Sequence, residues 1–153
     1  MAAAVITVDL REIRNLAKRL DDAALDPSAR SELLAGAASI LEAGSFKRFS
    51  TKEDPEGKRW EDIAEKTRKR YESKGLPARP PLVLSGILRK SLRSEVAADA
   101  HSAMVGATMT YAAVHQFGWP EKNIPARPYL GMSKADARDV TDAVADYMAR
   151  RFA

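Results

Sequence analysis

The spacing of apolar side chains changes period twice along this chain, and that change limits the fold more than any other feature of the sequence. From Asp9 to Leu20 the positions Leu10, Ile13, Leu16, Ala17 and Leu20 recur every three or four residues, which predicts an amphipathic helix. A second stripe runs through Leu33, Leu34, Ala37, Ile40 and Leu41. It follows Asp26-Pro27, a capping carboxylate and a proline whose absent N–H costs nothing in a first turn, and it is expected to reach about Phe49. The period then shortens. Arg93-Ser-Glu-Val-Ala and Ser102-Ala-Met-Val-Gly-Ala have strand length and strand patterning, with Ala98-Asp-Ala-His as the hairpin connection. Helical spacing returns at Val140, Ala143, Val144, Tyr147, Met148 and Phe152, behind a Ser133/Asp136 capping box. Helices at both ends around a small antiparallel sheet make an α+β domain.

The connections are informative too. Ser50 to Lys58 collects charges and turn formers, which predicts a solvated loop ended by Trp60. Residues 61–74 offer only Ile63, Ala64 and Tyr71 for burial, so a helix there is weakly held and orders against a partner. The reading is one domain over 1–153 with a mobile arm at 50–80. Pro77, Pro80 and Pro81 precede Leu82-Val-Leu, a short expected strand; Ser85-Gly86 turns the chain into a helical turn through Ile87 and Leu88. Tyr111 to Phe117 reads as one or two helical turns closed by Gly118, followed by a long ordered loop from Trp119 to Pro128.

Composition narrows the function classes. With 153 residues and 45% hydrophobic content, one core is expected to bury roughly two-thirds of the surface of the extended chain. No run of eighteen apolar residues occurs, so no span of a bilayer is expected. Met1 to Val8 lacks a basic and an apolar leader region, which points to synthesis and assembly in a cytoplasm. Zero cysteines exclude disulfides and thiol chemistry. His101 and His115 have no metal-ligand spacing, and no nucleophile elbow, P-loop or dinucleotide glycine pattern occurs, so no catalytic residue, metal or cofactor is assigned. His115 reads as a hydrogen-bonded, partly buried packing residue. The formal charge is +4. The densest basic run, Lys66, Arg68, Lys69, Arg70 and Lys74, supports an alternative function as a small basic nucleic-acid-binding or DNA-packaging accessory protein.

Trp60 and Trp119 stand beside Pro- or Gly-bearing loops rather than on helical stripes, the setting of interface anchors. In Pro125-Ala-Arg-Pro-Tyr-Leu two prolines stiffen a strap whose Arg127 can present a bidentate fork to a carboxylate or to backbone carbonyls. The candidate interface residues are Trp60, Tyr111, His115, Gln116, Phe117, Trp119, Arg127 and Tyr129.

Four patterns occur in one order: Asp54-Pro-Glu-Gly-Lys-Arg-Trp60; Leu84-Ser-Gly-Ile-Leu-Arg-Lys-Ser91; Val105-Gly106 leading to Tyr111-Ala-Ala-Val-His-Gln-Phe-Gly118; and Ile124-Pro-Ala-Arg-Pro-Tyr-Leu-Gly131. Together they resemble the phage virion morphogenesis family, the tail-completion proteins of Mu-like and P2-like contractile-tailed phages. The resemblance implies a non-enzymatic virion protein, assembled in the bacterial host, that completes or terminates the tail and joins it to the head as a hexameric ring at the neck. Its implied partners are copies of itself, tail tube or sheath proteins, head–tail connector proteins and DNA passing through the lumen; no membrane is implied. Salt is expected to separate the two functions: phosphate contacts weaken with ionic strength, whereas association through Trp60, Trp119 and Tyr129 persists.

Overall fold

The computed structural model describes residues 4–8, 25–77, 79–83 and 85–153. In chain order the elements are β1 (Ala4–Val8), α1 (Pro27–Thr51), α2 (Glu65–Glu72), α3 (Ile87–Lys90), β2 (Leu92–Val96), β3 (Ala103–Ala107), α4 (Ala112–Phe117) and α5 (Lys134–Arg151), with a single 3-10 turn at Pro120–Lys122. The expected helix at 9–20 lies outside the described residues. The architecture is α+β, as the change of period predicts.

β2 and β3 form the expected hairpin, and β1 adds antiparallel to the other side of β3, giving the order β1-β3-β2. Val105 lies opposite Ile6 on one side and Ser94 on the other. β1 is an addition to the expected sheet, and Val5-Ile-Thr-Val is a β-branched run of the kind that fits a pleated surface. Along β3, Ala103, Val105 and Ala107 are buried and alternate with partly exposed Met104 and Gly106. The small alanines let α1 lie close across the buried face, where Leu34, Ala38 and Leu41 join Leu92 and Val105 in one core.

α1 starts where expected: Asp26 Oδ1 accepts the Ala29 N–H at 2.9 Å, and Pro27 occupies the first turn. α5 runs antiparallel along it. Tyr147 Oη donates to Glu32 Oε2 at 3.1 Å and Arg151 pairs with Asp26 near one end, while Arg48 pairs with Asp136 at the other. The capping box is present, with Asp136 N–H donating to Ser133 Oγ at 3.0 Å and Ser133 N–H to Asp136 Oδ2 at 2.8 Å. Of the expected α5 stripe, Val140 and Val144 are buried and Tyr147 and Met148 partly so, but Ala143 and Phe152 are exposed. Phe152 follows the last helical residue.

Two connections differ from expectation. Pro81 and Leu82 form a turn rather than a strand; Leu82 takes φ 62°, which ends any extended run, and Leu84 lies outside the described residues. The loop after α1 is tied shut as well as solvated. Asp54 Oδ1 accepts the N–H groups of Glu56 and Lys58, both at 2.9 Å, Gly57 takes φ 85°, and Glu53 bridges to Arg59.

Candidate functional site

The strap at 124–131 is the place where three of the four sequence patterns meet. Tyr129 is fully buried and its hydroxyl donates to Ala112 O at 3.1 Å; burial pushes its phenol pKa up. Gln116, one α4 turn further on, holds the strap backbone with its amide. Its Oε1 accepts from Tyr129 N at 3.1 Å and Leu130 N at 3.0 Å, and its Nε2 donates to Leu130 O at 3.1 Å. Trp60 closes the other side: its Nε1 donates to Pro128 O at 2.9 Å and its ring meets Phe49 edge-on at 5.8 Å.

Arg127 presents the fork the sequence suggested, to backbone carbonyls of its own chain. Nε donates to Glu61 O at 2.8 Å and an Nη to Asp62 O at 3.0 Å. Its own N–H donates to His115 O at 2.7 Å. The strap is therefore bonded to segments 60–62 and 112–116, and α1 adds a third hold. Gly118 makes room for it: φ is 80°, and a Cβ there would stand 2.8 Å from Ala126 N.

Below the strap lies a pair that sequence reasoning missed. Arg48 is buried on α1, pairs with Asp136, and also donates to Tyr129 O at 3.2 Å and Gly131 O at 3.1 Å. Gly44, one turn earlier, permits this, because a Cβ there would stand 2.3 Å from Asp136 Oδ1. The Ser133/Asp136 spacing signals the cap in sequence, but nothing local signals a partner on α1.

His115 is partly buried, stacked edge-on to Tyr111 at 5.8 Å, and its Nδ1 is buried with no hydrogen-bond partner. The expected hydrogen bond to that nitrogen is absent. Burial, then the charge of Arg127, holds its pKa below the ordinary 6.5. It lines a cavity of about 290 Å³ with Tyr71, Leu82, Leu88, Tyr111 and Arg127. Among the described residues no group of three or more His, Asp or Glu could hold a metal ion. None of the described helices is long and apolar enough to cross a membrane.

The eight candidate residues thus fall into two sets. Trp60, Gln116, Arg127 and Tyr129 make the contacts just described within the chain. In the other set, His115 packs edge-on against Tyr111, which is 36% exposed, Phe117 is 67% exposed, and partly buried Trp119 carries Lys122 Nζ 4.2 Å from its ring centre. The basic run stands on and just after α2, a helix that buries no residue; Arg68 there donates to Asp62 Oδ2 at 2.9 Å, while Lys66, Lys69, Arg70 and Lys74 are exposed.

The sequence profile of the phage virion morphogenesis family matches residues 8–149, a span that includes all four patterns. The chain belongs to that family. It is a phage virion assembly protein. A family-like relative, protein G of Escherichia phage Mu, named for capsid assembly, is 28% identical over 146 residues, 91% of this chain and 90% of its own length. Mu-like prophage FluMu G protein 2 of Haemophilus influenzae is 26% identical over 148 residues, 94% and 96% of the two chains. FluMu G protein 1 of the same organism is 28% identical over 105 residues, 67% and 68%. No solved structure matches the chain.

Proposed function

We propose that this virion assembly protein is a non-enzymatic structural subunit that completes or terminates the tail and joins it to the head, as a hexameric ring at the neck. The observation that carries this reading is the nearly end-to-end agreement with the virion morphogenesis family and with a phage Mu protein named for capsid assembly. The geometry supports it, since the best-defined polar side chains are spent on fixing the strap: Gln116, Arg127 and Trp60 all bind backbone. A strap fixed in this way offers a preorganised surface, which lowers the ordering cost of a permanent contact. Residues 61–80 of the arm settle against a neighbour or a tail or connector protein on assembly, because α2 buries none of its own residues.

The test is complementation. A phage with this gene silenced should release filled heads and separate tails, and purified protein added to that lysate should restore infectious particles. Normal particles without the protein, or particles blocked before heads form, would contradict a joining role. The alternative reading, a nucleic-acid-binding or packaging accessory protein, draws on the exposed cations of α2. It expects duplex binding that weakens steeply with salt, and heads that stay empty when the gene is silenced.

A further inference from the structure

The loop 52–60 is a thin wall with a groove on each side, and the two grooves carry opposite charge. On one side a groove of about 600 Å³ runs between the wall and the 61–81 arm. Lys52, Arg59, Arg68 and Arg79 line it with one carboxylate, Asp62; Arg68 donates to Asp62 and also stands 3.7 Å from Glu65 Oε2. Burial, and then the charge of Arg89, holds the Lys52 ammonium below its ordinary pKa.

On the other side a groove of about 410 Å³ lies between the wall and α5. Glu53 and Asp54 enter it from the wall and Asp139 from α5, against Lys47; Arg48 and Asp136 in its floor neutralise each other. The negative charge continues along the exposed side of α5, where Asp142 and Asp146 follow Asp139 at helical spacing. Among the described residues, Asp139, Asp142 and Asp146 form no ion pair.

We propose that the basic groove of one copy receives the acidic α5 flank of a second copy, head to tail. The inference rests on the reading that this chain assembles with itself. Successive residues of the wall line opposite grooves, Lys52 the basic one, where its ammonium also donates to Phe49 O, and Glu53 the acidic one. A copy seated in one groove therefore leaves the other open to the next copy. That is a heterologous contact, the kind that closes into a ring. Complementary charge sets its direction and rejects a copy docked the wrong way, since like charges would then face each other. The salt dependence expected from the sequence reverses: with Trp60 and Tyr129 bonded internally, self-association through these grooves weakens as salt rises.

The test uses the full chain. Arg59→Glu/Arg68→Glu reverses the basic groove and Asp139→Lys/Asp142→Lys/Asp146→Lys reverses the acidic flank. By light scattering each variant should fall from the oligomer mass to that of one chain while its circular dichroism stays that of the wild type. An equimolar mixture should regain the oligomer, because reversed meets reversed and wild-type meets wild-type surfaces in alternation. In a mixture of isotope-labelled and unlabelled wild-type protein, a zero-length carbodiimide should couple Lys52 of one copy to an α5 aspartate of another; this readout stands even where a variant fails to fold. A wild-type oligomer with both variants unchanged in mass, and no such conjugate, overturns the interface and leaves self-assembly standing. A wild type that stays a single chain at every concentration and yields no conjugate overturns both. If reversing the basic groove abolishes duplex DNA binding and leaves the mass untouched, the groove is a phosphate site and the proposal is wrong.

Discussion

The amide of Gln116 takes the place of a strand partner for residues 129 and 130, making three hydrogen bonds in a site where it is only 6% exposed. Gln116→Ala would leave two N–H groups and one carbonyl buried without partners, each costing about 1–3 kcal/mol. Allowing for relaxation, a loss of about 3 kcal/mol is expected in urea unfolding; a loss under about 1 kcal/mol would mean that the strap is held by its prolines. His115 gives a pH prediction. Its folded pKa lies below 6.5, so its neutral form is fully stabilising above that value, and stability falls as the pH drops from 6.5 through the folded pKa. Wild type should therefore lose melting temperature between pH 7 and pH 5 faster than His115→Gln, and parallel curves would show that the imidazole titrates freely. Trp60, Tyr129 and Arg127 stood out in the sequence because a proline- or glycine-bearing loop seldom carries such residues without a fixed site for them. Whether that site belongs to the same chain or a neighbour depends on what lies opposite in space, which spacing along one strand of sequence does not encode.

At the scale of elements, the α1–α5 crossing sets the strongest stability contrast. Ser133→Ala removes a cap and is expected to cost about 1 kcal/mol. Asp136→Ala removes the same cap's second half and strands the buried Arg48 guanidinium, with an expected cost of about 3–5 kcal/mol. Equal losses in the two variants would show that the ion pair contributes little beyond the cap. Gly44 belongs to the same crossing: Gly44→Ala should destabilise by about 1–3 kcal/mol despite the better helix propensity of alanine, because its methyl meets Asp136. An unchanged or raised melting temperature would place Asp136 elsewhere. The helices and hairpin were legible because period and caps are local signals. The Arg48–Asp136 pair joins residues 88 apart and left no such signal. β1 is readable in principle from its β-branched residues, but its partner is β3, far along the chain, and nothing local marks that pairing.

For the whole molecule, three of the four short patterns share one task, since Trp60 and the 111–118 segment hold the 124–131 strap. The patterns therefore reveal what the chain belongs to more readily than which surfaces it shows its neighbours. The surfaces proposed for assembly draw on charge spread over the 61–81 arm, the 52–60 loop and α5, where no single stretch of sequence is distinctive. The most direct measurement of the joining role is native mass spectrometry of the purified chain at low ionic strength, which counts subunits one by one. Six copies per particle, carrying no nucleic acid, is the result expected of a ring subunit at the neck. Single chains that gather mass only when duplex DNA is added would contradict it and make the basic accessory protein the better account.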